Sequence, residues 1–438
     1  MFSAKRLLLA GRGLSFRTGK YFGQALLVGI FAGFVVVGFR YLIQFGTRWL
    51  FDGLGGLSRW WLVGLPPVGA VLGYLLIKRF DSLEHARGTD SAILAFHRRH
   101  GYVPPAVLPV KSVASVLTVA SGGSAGYEGP VTLLGAACGS VIASWFGLSR
   151  RARRILMTAG ISAGIAALFQ APLAGAIFGF EVLYSSSDIE YDCILPCFTA
   201  STVAYTIFAY FFGWGALFPM PQGIVYENGL RLLPYFILAL VITFGARGYI
   251  SCFASVEHSF AQLAIPAWTK VALGGLVTGV IGLLVPEVLG TSYPVIQRVL
   301  TADASGGAAA CWLCLLIFFA KLLATSFTVG SGGSGGVFAP ALVCGGTLGG
   351  AVGLCFARVL PASWGIHPAA FALVGMAGFL ASAIRTPMTA IVMVAEISGN
   401  HALIVPAMWV CGIAFWLNNG WTLYRSQVHS RESSPVHV

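Results

Sequence analysis

The chain has 438 residues, 57% hydrophobic and only 10% charged, with 56 glycines and a mean hydropathy of +0.82. Too few charges are present to solvate a globular surface, so a soluble protein is excluded and a polytopic α-helical membrane protein is expected. A net charge of +12 does not describe a nucleic-acid binder either. The basic residues collect in short loops between apolar runs, as at Arg150, Arg151, Arg153 and Arg154, which is the positive-inside pattern with a secondary pull on anions at a pore mouth.

Residues 1–20 read as a basic cytoplasmic tail with no apolar core and cleavage site of a signal peptide. Apolar segments follow at 23–47 and 60–76, then a polar stretch at 81–100 that contains Ala86-Arg-Gly-Thr-Asp-Ser-Ala-Ile93. Residues 104–120 are apolar except for Lys111, and a glycine-rich break at 121–130 leads into a helix over 131–146 and an arginine loop. Apolar runs at 155–169 and 172–184 are divided by Gln170-Ala-Pro. Ala159, Gly160, Ala163, Gly164 and Ala167 form a small-residue stripe for close helix contact. After the acidic loop at Asp188, Glu190 and Asp192 comes a span at 193–214, then a Gly/Pro/Asn-rich connection at 215–230. The second half offers runs at 233–244, 271–285 and 308–327, a second glycine break, and runs at 337–360, 371–384, 387–397 and 403–417. The expected organisation is a tail (1–20), a first membrane repeat (21–220), a second (221–427) and a short C-terminal tail (428–438), with no cytoplasmic domain.

The two glycine breaks are copies of each other. Ser121, Gly122, Gly123, Ser124, Gly126 and Pro130 stand 210 positions before Ser331, Gly332, Gly333, Ser334, Gly336 and Pro340. At an offset of 215, Gly160 matches Gly375, Pro172 matches Pro387 and Glu181 matches Glu396. Matched blocks in the same order indicate duplication, a common build among transporters. A glycine break at membrane depth leaves amides that lipid cannot satisfy, so it must be buried or line a polar cavity. The proline after each break suits the first turn of a helix. That helix then aims its free amides and positive end at the break, which makes an anion site. Within the first break, Glu128 is an ionisable group at membrane depth, which marks a functional position; the alternative is a carboxylate that caps its own helix.

Other chemistries find little support. The eight histidines are scattered, without metal spacing or a nucleophile–base pair, so neither an enzyme nor a metal site is expected. Gly330-x-Gly332-x-x-Gly335 fits a dinucleotide fingerprint only formally, since it follows an apolar run without a βαβ context. The nine cysteines, Cys311-Trp-Leu-Cys314 included, read as small buried hydrophobes. A sodium-coupled or organic-solute carrier would want a larger polar pocket.

Gly126-Tyr-Glu-Gly-Pro130 resembles the G-[KR]-E-G-P motif of the CLC family of chloride channels and proton/chloride exchangers, and Gly336-Val-Phe-Ala-Pro340 resembles its G-x-F-x-P motif. Leu108-Pro-Val-Lys111, Gln170-Ala-Pro-Leu-Ala-Gly175 and Thr422-Leu-Tyr424 are similar to further family landmarks, in order, so the likeness covers about residues 20–427. The resemblance is to the prokaryotic type without CBS domains. It implies an all-α polytopic protein, an inverted repeat of two halves with broken and re-entrant helices, and a homodimer in a cell inner or plasma membrane with a pore in each subunit. Carried over, Glu128 is the gate. Backbone amides at Gly88, Gly129, Val337 and Phe338 and the Tyr424 hydroxyl bind the anion, chloride being the ligand and no cofactor being needed. Tyr424 would otherwise be an interfacial belt tyrosine.

Three departures qualify this. The anion-filter motif G-S-G-[IV]-P falls on Ala86-Arg87-Gly88-Thr89-Asp90, so Arg87 replaces the coordinating serine. Arg87 either binds anion as a fixed charge or turns away to Asp90 or solvent; the fluoride-exporting branch is not matched here. Val182 stands where exchangers carry an internal proton glutamate, which leans toward uncoupled, channel-like chloride flow. The alternative is a proton-coupled exchanger with a substitute proton path. Its neighbour Glu181 matches a structural acid of the family, at helix ends or a dimer contact. Tyr127 removes the basic residue before Glu128.

Overall fold

The computed structural model describes residues 21–52, 60–80, 88–220, 229–301, 307–361 and 364–437. The described residues form sixteen α-helices, eight in each half. The first half runs α1 (Phe22–Thr47), α2 (Trp61–Lys78), α3 (Thr89–Arg98), α4 (Val107–Ala120), α5 (Glu128–Trp145), α6 (Arg150–Phe169), α7 (Pro172–Glu181) and α8 (Ile194–Phe212). The second runs α9 (Leu233–Gln262), α10 (Ala267–Leu284), α11 (Tyr293–Thr301), α12 (Gly307–Gly330), α13 (Phe338–Val359), α14 (Pro368–Ala383), α15 (Pro387–Ser398) and α16 (Ile404–Leu417). Eight of these helical segments are long and apolar enough to cross a membrane. The chain is a multi-pass membrane protein. The most apolar stretches of α6 and α13 are 89% buried, so protein rather than lipid surrounds them.

The duplication is visible as reciprocal contacts. Gly126 N–H donates to the Gly336 carbonyl and Gly336 N–H to the Gly126 carbonyl, both at 2.8 Å, in an antiparallel bridge. Ser115 Oγ meets Ser334 Oγ at 3.0 Å, and the copies, Thr325 Oγ1 and Ser124 Oγ, meet at the same distance. Glu181 receives the amides of Met388 and Thr389 at the start of α15, each at 2.8 Å. Glu396 in turn receives those of Leu173 and Ala174 at the start of α7, at 3.0 and 2.8 Å. Each carboxylate thus supplies the acceptors that the other repeat's helix start lacks. The α5–α6 and α13–α14 crossings match as well: a methyl group on Gly160 would press on the Gly135 carbonyl, and one on Gly375 on the Gly345 carbonyl. Small residues at these crossings let the backbones touch.

Several elements differ from the sequence expectation. The arginine loop is the first turn of α6, where the Ser149 hydroxyl accepts from the Ala152 amide at 3.3 Å. Within the polar stretch lies the ten-residue α3, too short for hydropathy to reveal. The run expected to end at 244 is the 30-residue α9. Its charges are absorbed laterally: Arg247 Nε bonds Asn418 at 3.0 Å, and Glu257 pairs with Arg425 at 2.8 Å. The run at 172–184 stops as a helix at Glu181, where the chain turns to pair with the C-terminal segment (Ser185 N–H to the Val428 carbonyl, 2.9 Å). That segment carries Arg425 and Arg431, and Arg431 lines one cleft with Arg151 and Arg154, a basic face of the kind that the positive-inside rule assigns to the cytoplasm.

Candidate functional site

Both glycine breaks end at the start of a buried helix, α5 and α13, and the bridge between Gly126 and Gly336 brings those two starts together. No side chain larger than hydrogen fits at the junction. A methyl group on Gly336 would lie 2.6 Å from the Gly129 nitrogen, and one on Gly126 would overlap the Glu128 carboxylate. Pro130 and Pro340 fall in the first turns, where their missing N–H groups cost nothing.

Glu128 is fully buried in the first turn of α5. One carboxylate oxygen accepts from the Ala339 amide of α13 at 3.2 Å, and the other accepts from the Tyr293 hydroxyl. The carboxylate therefore occupies the kind of seat that free helix-start amides offer an anion. Below it a cavity of about 310 Å³ is lined by Gly129, Val337 and Tyr424 together with Thr89, Asp90, Lys111 and Ser334. Gly88 abuts Gly129, close enough that a methyl group on it would lie 3.0 Å from the Gly129 carbonyl carbon. Of the residues expected to bind anion, Gly88, Gly129, Val337 and Tyr424 thus come together. Phe338 is buried nearby, its ring held between Phe169 and Phe178 at 5.2 and 5.7 Å. Arg87 lies outside the described residues. The Asp90 carboxylate accepts from the Ser426 amide and hydroxyl at 2.8 and 2.9 Å, which ties the Tyr424 segment to α3.

Lys111 is 2% exposed and donates to Ser334 Oγ at 2.9 Å. Thr89 is 2% exposed, and its side chain meets that of Tyr424 in the cavity wall. Val182 is fully buried, and its carbonyl accepts from Gln427 Nε2 at 2.9 Å. Glu181 sits at the start of α15, where it also accepts from the Thr389 hydroxyl at 2.5 Å.

Sequence reasoning missed Ala339, Lys321 and Tyr293. The first two carry a signal: Ala339 is Gly129 displaced by 210 positions, and Lys321 is Lys111 displaced by the same interval. Tyr293 carries none, because the Gly-Thr-Ser-Tyr-Pro stretch that holds it belongs to neither matched block. The cysteines are free, and Cys311 touches Cys355 (3.4 Å between sulfurs) rather than its sequence neighbour Cys314. Among the described residues no group of histidine, cysteine and acidic side chains has the clustering of a metal site.

Two inverted halves whose broken helices meet at a buried carboxylate define a membrane transport protein of the CLC type. The model of the voltage gated chloride channel family matches residues 68–419. A ClcB-like chloride channel protein of Ralstonia nicotianae is 30% identical over 399 residues, 88% of this chain and 90% of the relative. The H(+)/Cl(-) exchange transporter ClcA of Yersinia pestis is 32% identical over 349 residues, 78% of this chain and 71% of the relative. The fold is that of solved CLC proteins: a CLC-type fluoride/proton antiporter (TM-score 0.79, 22% identity, 93% and 97% of the two chains) and a slow cyanobacterial Cl-/H+ antiporter (0.79, 24%, 93% and 96%). The chain belongs to the voltage gated chloride channel family.

Proposed function

We propose that this protein carries chloride through a pathway gated by Glu128, with one pathway in each subunit of a homodimer. The observation that carries the reading is the Glu128 carboxylate lying against the Ala339 amide at the start of α13. An ionised Glu128 competes with chloride for helix-start amides, whereas a neutral one leaves them to the ion. The amides at Gly88, Gly129, Val337 and Phe338 and the Tyr424 hydroxyl complete the anion's surroundings, and Arg87 adjusts the filter. No cofactor is required. Val182 cannot carry a proton, so chloride flow is uncoupled. The dimer reading rests on the family resemblance and is compatible with exposed apolar side chains on α7, α8, α15 and α16, among them Leu173, Leu195, Met388 and Met408.

Proton-coupled exchange is the second reading. The name of the Yersinia relative favours it, as does one feature of this chain: Glu190, 3% exposed, accepts from the Tyr184 hydroxyl at 2.7 Å, two residues beyond Val182. The test is chloride efflux from proteoliposomes with simultaneous recording of external pH. Efflux without proton movement is expected. Uphill proton movement that stops with Glu128→Gln would establish exchange by a substitute path, and folded protein that passes no chloride would overturn both readings.

A further inference from the structure

The Glu128 gate has a second holder. Tyr293 opens α11, and the residue before it, Ser292, adopts a left-handed backbone (φ 62°). That conformation is costly for a residue with a side chain and persists only where the surroundings enforce it. One enforcing contact is Lys321 of α12, fully buried, whose ammonium donates to the Val288 and Gly290 carbonyls at 3.0 and 2.7 Å, just upstream of the turn. The Tyr293 ring packs edge-on against Phe218 (5.6 Å between centroids), and its hydroxyl donates to the Glu128 oxygen that the Ala339 amide leaves open.

The position of the pair matters as much as the bond. On the outer side lies a second cavity, about 580 Å³, lined by Arg40, Arg48, Arg298 and Glu287, by Tyr127 next to Glu128, and by Ser292 and Pro294 on either side of Tyr293. On the inner side lies the cavity that Gly129 and Tyr424 share. The hydroxyl–carboxylate bond therefore sits between two chambers. Apart from Glu128 and Tyr293, the charged groups that act on the pair are Lys321 from α12 and Arg40 from α1.

We propose that Tyr293 is an outer latch: a positioning residue whose hydroxyl holds the ionised Glu128 across the pathway. The bond favours the charged carboxylate, so it holds the gate shut until protonation or a competing anion breaks it. The inference rests on the reading of Glu128 as the gate, and the experiment separates the two. Chloride efflux from proteoliposomes is measured from acid to neutral pH for wild type, Tyr293→Phe, Glu128→Ala and the double variant. Tyr293→Phe keeps the ring against Phe218 and removes only the donor. It is expected to raise flux at neutral pH by roughly tenfold and to move the flux–pH curve upward by about one unit. In the Glu128→Ala background it should change nothing, since no carboxylate remains to hold. If Glu128→Ala alters flux while Tyr293→Phe matches wild type at every pH, the latch is overturned and the gate stands. An undiminished Tyr293→Phe effect in the Glu128→Ala background also overturns the latch. If Glu128→Ala itself leaves flux and its pH dependence unchanged, the gate reading fails, and the latch with it.

Discussion

The two repeats agree in backbone and disagree in charge. Their glycine breaks bridge each other, their hydroxyl pairs are reciprocal, and Glu181 and Glu396 exchange helix starts. At the helix start itself the first repeat has Glu128 and the second, 210 positions on, has Phe338. The matched lysines also part company: Lys111 reaches across to Ser334 in the other repeat's break, whereas Lys321 holds the loop that delivers Tyr293. Duplication therefore supplies a scaffold with two equivalent helix ends. On the proposed function, direction and control enter where the copies have diverged, with a carboxylate and its tyrosine toward the outer chamber and Tyr424 toward the inner one.

The largest break in the comparison comes from removing the charge that sets the repeats apart. Glu128→Gln should raise chloride flux at neutral pH by as much as about a hundredfold, equivalent to about 2.7 kcal/mol of barrier, and flatten the pH dependence. Chloride efflux measured across pH checks this. Flux that vanished from folded protein would remove Glu128 from the gate and return it to the helix-capping role.

The lysines come next. Lys321→Met leaves the Val288 and Gly290 carbonyls without their buried donor, so it should cost about 2 kcal/mol of stability, seen as a lower melting temperature in detergent. Lys111→Met leaves Ser334 still paired with Ser115, so the fold should hold. It removes a positive charge from the wall of the inner cavity and should lower flux by roughly fivefold at low chloride concentration, an electrostatic effect that salt screens. Equal effects of the two substitutions on melting temperature would mean that the lysines are interchangeable and the contrast is false.

The glutamates should differ only in degree. Glu181 takes three hydrogen bonds and is 2% exposed, whereas Glu396 takes two and is less buried. Replacing a carboxylate by an amide turns an NH₂ toward donors, so Glu181→Gln should cost about 2 kcal/mol and Glu396→Gln about half as much. Neither should alter the flux–pH curve. A changed curve for Glu181→Gln would draw that residue into the transport path.

How much of this was legible in the sequence follows the same division. The breaks, the matched prolines and the paired glutamates could be read directly, because glycine and proline report backbone geometry wherever they stand. Helix identity was legible where apolar runs were long. It failed at α3, which is short and polar, and at α9, where Arg247 and Glu257 interrupt the run but find partners from distant segments. The residues that gather at the inner cavity, Gly129, Val337 and Tyr424, could be named from landmark motifs. Tyr293 could not, because it reaches Glu128 across 165 positions from a stretch with no matched copy. A side chain whose role depends on one hydroxyl meeting one carboxylate in space leaves no periodicity behind.

The finest test uses the hydroxyl pairs that appear identical. Ser115 meets Ser334 and Thr325 meets Ser124, each at 3.0 Å. If the scaffold were truly symmetric, Ser115→Ala and Thr325→Val would cost the same. They should not. Ser334 retains the Lys111 ammonium when Ser115 is truncated, so Ser115→Ala should cost under about 1 kcal/mol, a neutral hydrogen bond whose partner stays satisfied. Ser124 Oγ is fully buried and has no other partner among the described residues. Thr325→Val leaves it unpaired and should cost about 1–2 kcal/mol, with the melting temperature of each variant as the readout. An equal cost would show that Lys111 does not support Ser334 in the folded protein, and the divergence of the two lysines would then reduce to their positions along the pathway.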